Sequence, residues 1–177
     1  MDERNIMILA IGNAGGNIID TIRREAKSSE LKAAKYVYAD CDERDLHRHN
    51  ADTSQSTLLK NENEAFPAEI FKGVENLVIV AGLGGNTAAE FTELAAAAAK
   101  DSAVKSLIVV ATMPFHFERE NRISSATLAV QRLSELEDVK TVVFNNDDLM
   151  SKYPNLNFFN AFETADKEIM HIIENLT

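Results

Sequence analysis

VAGLGGNTAAEFTELAAAAAK, Val80 to Lys100, joins an apolar strand to a helix through a glycine turn, and its reading decides the fold. Leu77 to Ala81 is a continuous apolar run, GLGG breaks it, and the alanine run Ala95 to Ala99 favours helix and close packing on a sheet. The same order recurs along the chain. Apolar runs at Ile6 to Ile11, Tyr36 to Ala39, Leu107 to Thr112 and Thr141 to Phe144 each precede a turn or polar segment and then helical spacing. Five strands alternating with helices predict an α/β fold: a doubly wound, mostly parallel sheet with helices on both faces, Rossmann-like in class. Unbroken runs such as LIVVAT suit strands buried on two sides.

The helices carry their own stripes. Ile123, Ala126, Val130 and Leu133 fall on one face, with Glu118, Glu120, Glu135 and Glu137 off it, and Phe158, Phe162, Ala165, Ile169, Ile172 and Leu176 form a second stripe. Asn50 to Asn63 has little periodicity and a turn-like composition, which predicts a surface loop. With 177 residues and 45% hydrophobic content, the chain reads as a single domain, 1–177, with one core.

Composition limits the function classes. Eighteen basic against 28 acidic residues give a net charge of −10, which opposes nucleic acid and anionic membrane because phosphate backbones demand a positive footprint. No apolar run is long enough to span a bilayer, and MDERN lacks the basic start of a signal peptide, so a cytoplasmic location is expected. The single cysteine, Cys41, fits a reducing compartment and a structural role.

Glycine is scarce but clustered: six of seven sit as Gly12, Gly15, Gly16 after the first strand and Gly82, Gly84, Gly85 after the third. A strand-glycine-helix junction leaves free N–H groups at the positive end of a helix dipole. Two such junctions at carboxyl ends of strands in one open sheet point to one anionic ligand in the crevice. A Walker loop is excluded, since no GK[ST] follows either cluster. A dinucleotide reading stays open: the G-x-G-x-x-G order is absent, but Asp40 stands where a ribose-binding acid would.

Five segments in order carry a resemblance. AIGNAGGN (10 to 17), DCDERDL (40 to 46), AGLGGNT (81 to 87), PFHFERENR (114 to 122) and NNDDL (145 to 149) resemble the motif series of the tubulin/FtsZ family of GTPases, closer to FtsZ than to tubulin. The resemblance spans nearly the whole chain but only the first half of a family member, so it implies an N-terminal nucleotide-binding domain whose second domain is absent. It implies GTP or GDP as ligand, with Mg²⁺ as a further candidate. Gly12, Asn13, Ala14, Gly15 and Gly16, with Gly84, Gly85, Asn86 and Thr87, then hold phosphates. Glu118 and Arg122 take the sugar end, and Asn146 and Phe162 take the base. The family's guanine-binding Asp aligns with Lys167, beside Asp166, which is the candidate carboxylate. The residue chemistry agrees: Arg122 offers a fixed fork, Asn146 both donor and acceptor, Phe162 a stacking face.

Departures from the family shape a second expectation. Ala88, Ala89 and Glu90 replace small and hydroxyl residues after Thr87, and Thr87 and Glu90 have capping-box spacing, which predicts a helix that caps itself where phosphate would sit. The family hydrolyses GTP with acidic residues from a neighbour's second domain, so the resemblance implies little or no hydrolysis by residues 1–177 alone. The functions that follow are an FtsZ-like guanine-nucleotide-binding protein, related to cell division GTPases and partnered by itself or by a full-length FtsZ-like protein; a nucleotide-free pseudo-GTPase scaffold; or an NAD-binding protein using Asp40.

Plain structural readings stand beside these. Glu118 and Arg122 have ion-pair spacing, Phe162 lies on an apolar stripe, and Asn146 and Asp147 could cap a turn. Asp40, Cys41, Asp42 and Glu43 gather acids for Mg²⁺ only if they converge. His47 and His49 point to different helix faces, against a zinc pair, and His116 is expected to hydrogen-bond within the Pro114 to Phe117 turn.

Overall fold

The computed structural model describes residues 5–49, 55–60 and 65–177. In chain order the elements are β1 (Ile6–Ile11), α1 (Gly12–Glu25), α2 (Ser29–Ala33), β2 (Lys35–Asp40), α3 (Glu43–Arg48), β3 (Ser56–Leu58), a 3-10 turn (Ala68–Phe71), β4 (Asn76–Gly82), α4 (Asn86–Lys100), β5 (Ser106–Met113), α5 (Glu120–Ser134), β6 (Lys140–Asn145), α6 (Asp148–Lys152) and α7 (Ala161–Leu176). The six strands form one parallel sheet in the order β3-β2-β1-β4-β5-β6. The expected doubly wound α/β architecture is therefore present, and all five strands read from the sequence are there.

Alternation along the strands divides the core. Met7, Leu9 and Ile11 of β1 pack with Leu77, Ile79 and Ala81 of β4 against Phe91, Ala95, Ala96 and Ala99 of α4 and Ala126, Ala129 and Leu133 of α5. Ile6, Ile8 and Ala10 face the other way, onto Ile18, Ile19 and Ile22 of α1 and Ile169, Met170 and Ile173 of α7. Every residue of β1 is buried, which is why the central strands read as unbroken apolar runs. The methyl side chains of α4 bring that helix close to the sheet.

Three expectations change. Asn50 to Asn63 is not wholly loop: Ser56–Leu58 is an edge strand whose residues pair with Tyr38, Ala39 and Asp40. Three residues are too short to show a period of two. Residues 50–54 and 61–63 of that stretch lie outside the described residues. β6 is not buried on both faces, since it is the last strand of the sheet and Val143 is 42% exposed. The final stripe begins at Ala161 rather than Phe158; Phe158 precedes the helix, and it and Phe162 are 71% and 50% exposed.

The topology places the site. The chain leaves β1 toward β2 and β3, then returns to β4 on β1's other side and continues to β5 and β6. Connections that diverge from β1 and β4 open a crevice at the carboxyl ends of those two strands.

Candidate functional site

A cleft of about 340 Å³ occupies that crevice, within the range of small-molecule sites. Its floor is the two glycine junctions. α1 starts directly after β1, with Gly12 at φ +78°, a left-handed conformation that a side chain would strain. No side chain caps α1, and no acid occupies its first turn. Helix geometry leaves the N–H groups of Gly12, Asn13 and Ala14 without intrahelical acceptors, and these three residues line the cleft.

Gly15 and Gly16 do not line it, contrary to the expectation that they hold phosphate. Their N–H groups lie past the first free positions of the helix. Their lack of a side chain serves packing instead. A Cβ on Gly15 would stand 2.5 Å from the Val80 carbonyl oxygen, and one on Gly16 would stand 2.6 Å from His49 Cε1. These glycines let α1 lie on β4 and admit a buried histidine.

The second junction is α4. Gly85 is its N-cap and has no side-chain cap bond; the Gly85 N–H donates to the Gly82 carbonyl at 3.2 Å and the Ala89 N–H to the Gly85 carbonyl at 3.0 Å. Asn86, Thr87 and Ala88 therefore hold the free first-turn N–H groups, and all three line the cleft with Gly84 and Gly85. The self-capping expectation is overturned. A capping box joins the N-cap to the third helical residue, whereas Thr87 is the second residue of α4 and Glu90 the fifth. Thr87 Oγ1 donates instead to Asp40 Oδ1 at 3.0 Å. Glu90 is exposed and outside the lining, and Ala89 packs against the core, so only Ala88 of the three substituted residues faces the cleft.

Polar side chains stand at the other end. Glu118 Oε1 accepts from the Phe115 N–H at 2.9 Å and its Oε2 from Arg122 Nη1 at 3.3 Å, so the i,i+4 ion pair forms and both partners line the cleft. Asn146, 6% exposed, keeps Oδ1 buried without a hydrogen-bond partner. Its side chain is not a cap: the Asp147 N–H is served by Asn145 Oδ1. Phe162 is half-exposed, edge-on to Phe115, and lines the cleft rather than the core.

Asp166 lines the cleft as well, and burial, with the negative charges of Glu163 and Asp20 opposed by Arg24, pushes its carboxyl up to about 7. Lys167, the position aligned with the family's carboxylate, pairs with Glu163 at 3.1 Å and Glu25 at 3.8 Å and does not line the cleft. One step along α7 thus decides which side chain faces the ligand space.

The remaining candidates disperse. Asp40 is buried and accepts from Thr87 and from the Asp42 N–H, Asp42 caps α3 and pairs with Arg44, and Glu43 is exposed, so the four-residue acid run does not converge. Among the described residues no group of three or more His, Cys, Asp or Glu side chains is placed to hold a metal ion. Cys41 is exposed rather than structural. His49 is buried, with Nδ1 2.6 Å from Asp20 Oδ2, while His47 is exposed. His116 bonds outside its own turn, through N–H and Nδ1 to Asp147 Oδ1.

Asp45, Arg48, Thr112, Ile18, Pro114, Ala165 and Ile169 also line the cleft and were not nominated from sequence. Thr112 lies near the carboxyl end of β5, where the crevice rule would have found it. Asp45 lies within the DCDERDL segment, and Arg48 follows it; the packing of α3 beside α1 brings both to the cleft.

Comparison with known proteins agrees with this geometry. A family model described as Tubulin/FtsZ family, GTPase domain matches residues 67–154. The chain is 27% identical over 195 residues to the cell division protein FtsZ of Haloferax mediterranei, covering 99% of the chain and 50% of that protein. It is 26% identical to cell division protein FtsZ 1 of Thermococcus kodakarensis, with the same coverage. The chain therefore spans about half the length of these relatives. Its fold matches an empty FtsZ dimer from M. jannaschii at a TM-score of 0.76 and 24% identity, over 98% of the chain and 54% of the other.

Proposed function

We propose, from the premise that the chain is an FtsZ-like N-terminal domain of the tubulin/FtsZ family, that its cleft takes up a guanine nucleotide, GTP or GDP. One observation carries this reading: two helix N-termini without side-chain caps, α1 and α4, meet on the same cleft whose far end holds an unpartnered Asn146 Oδ1 and the Asp166 carboxyl. Backbone N–H groups at a dipole's positive end suit phosphate oxygens. The guanine edge pairs an O6 acceptor with an amino donor, which an amide and a carboxylate together can match. Phe162 supplies an apolar wall for the ring, and the Glu118–Arg122 pair flanks the sugar between the two ends.

Turnover by these residues alone is slow or absent. The carboxylates at the phosphate end already have partners: Asp40 holds Thr87, and Asp45 holds Arg48 at 3.1 Å. Asp40, bonded to Thr87, is not free to orient an attacking water. Among the described residues lining that end, Mg²⁺ would find these two acids and would arrive with the phosphates rather than in a preformed cage. An NAD reading is weaker, since Asp40 is spent on Thr87 and Asp42 rather than open to a ribose diol. The partner in this reading is a second copy or an FtsZ-like protein, as the dimeric solved neighbour suggests.

Calorimetry with GDP, GTP and ATP tests the proposal. Heat with both guanine nucleotides and a much weaker response to ATP is expected. No heat with any of them at millimolar concentration would sink it.

A further inference from the structure

The cleft has a direction that its floor alone does not reveal. Along the carboxyl edge of the sheet, Asp40 closes β2, Gly12 follows β1, Gly82 closes β4, Thr112 lies near the end of β5 and Asn146 follows β6. Strands are spaced about 4.8 Å apart, so the helix N-termini over β1 and β4 lie roughly 10–14 Å from the β6 end. A nucleotide with its base at Asn146 and Asp166 and its first phosphates over α1 and α4 carries any terminal phosphate past β1, toward β2 and α3. There the lining side chains are Asp40, Asp45 and Arg48.

Arg48 is the cation of that end. Among the described residues it pairs with Asp45, Nη1 to Oδ1 at 3.1 Å, three residues back on α3, and its side chain is 68% exposed. Such a pair is weakly held and readily exchanged, whereas phosphate accepts the guanidinium fork bidentately. The backbone that carries Arg48 is fixed. The next residue, His49, is buried, bonded through Nδ1 to Asp20 of α1 at 2.6 Å and stacked on Tyr38 with ring centroids 5.1 Å apart. Tyr38 in turn donates to Asp20 at 2.6 Å. A mobile cationic tip on an anchored Cα can leave one anion for another.

We propose that Arg48 reads the terminal phosphate, leaving Asp45 for it and so making the site prefer a nucleoside triphosphate to a diphosphate. The inference rests on the guanine-nucleotide reading above. Arg48 is then a specificity-determining residue and Asp45 its competitor. The two should have opposite effects when removed, a signature that a merely structural pair would not give.

The test measures affinities for GDP and for a non-hydrolysable GTP analogue at fixed Mg²⁺, in the wild type, Arg48→Ala and Asp45→Asn, with thermal unfolding to confirm that each variant folds. Arg48→Ala should weaken the analogue about tenfold, the size of one lost charge-assisted bond, and leave GDP within about twofold. Asp45→Asn should tighten the analogue about threefold, since releasing Arg48 from an exposed pair recovers less than one full bond. Equal losses for both nucleotides, or no loss with Arg48→Ala, would overturn the inference while leaving nucleotide binding intact. A wild type that binds neither nucleotide would end the underlying reading, and this one with it.

Discussion

Replacing Asp166 by Asn should stabilise the protein at pH 8 and do little at pH 4. Burial, with Glu163 and Asp20 nearby, raises this carboxyl from 3.8 to about 7 in the fold. As pH rises from 4 to 7, the unfolded chain releases the Asp166 proton first while the folded chain retains it. The folded state binds more protons in that window, so stability falls with rising pH and levels off above 7. At about 1.4 kcal/mol per pH unit, the full penalty reaches about 4 kcal/mol. Asn carries no charge, so Asp166→Asn escapes it.

Wild type and variant share the other 27 acids. The informative quantity is therefore the difference between wild type and variant, from urea unfolding at pH 4, 5, 6, 7 and 8. It should grow from near zero to about 2–4 kcal/mol in favour of the variant, allowing for imperfect amide packing. A difference that stays flat across the range would refute the account of Asp166 as a partly buried, charge-penalised carboxyl. In the proposed pose the same group supplies a trade-off, because Asp166→Asn removes the charge and replaces one of the two acceptor oxygens facing guanine with an NH₂ donor. Guanine nucleotide affinity should fall in the variant, and in the wild type it should weaken by up to about tenfold per pH unit below 7.

Other expectations follow from single contacts. Gly15→Ala should cost about 2–3 kcal/mol in chemical unfolding, because its methyl would meet the Val80 carbonyl oxygen at 2.5 Å on a backbone that cannot swing aside. Phe162→Ala should lower guanine nucleotide affinity by about 1–3 kcal/mol in calorimetry, the worth of one ring contact to a base, while costing less than about 1 kcal/mol of stability because the side chain is half-exposed. Glu90→Gly should leave nucleotide affinity within about twofold, since the carboxylate lies outside the cleft; a large gain would restore the self-capping reading. Phe159→Ser, at a residue 98% exposed, should change the unfolding free energy by no more than about 0.5 kcal/mol.

The sheet was legible because its central strands are buried on both faces, so Ile6 to Ile11 and Leu107 to Thr112 needed no partner to declare themselves. β3 was not, since three residues on an edge carry too little pattern. Glycine clustering found the crevice but not the division of labour within it. Gly12 and Gly16 look alike in sequence; only the start of α1 and the position of His49 make one a cleft-lining residue and the other a packing one. Thr87 and Glu90 had the spacing of a capping box, and the reading failed because the helix begins two residues earlier than the box requires for Thr87 to cap it, with Gly85 as the N-cap. Asp166 and Lys167 show the same limit on α7, where one residue of rotation exchanges a cleft-lining carboxyl for an ammonium paired outside the cleft. Arg48 had no local signal at all, because its place depends on α3 docking beside α1.

A crystal structure of the protein grown with GDP tests the central claim most directly. The account predicts phosphate density at the N–H groups of Gly12 to Ala14 and Asn86 to Ala88, with the guanine between Asn146, Phe162 and Asp166. A nucleotide bound elsewhere, or bound in this cleft with its base over the glycine junctions, would contradict it.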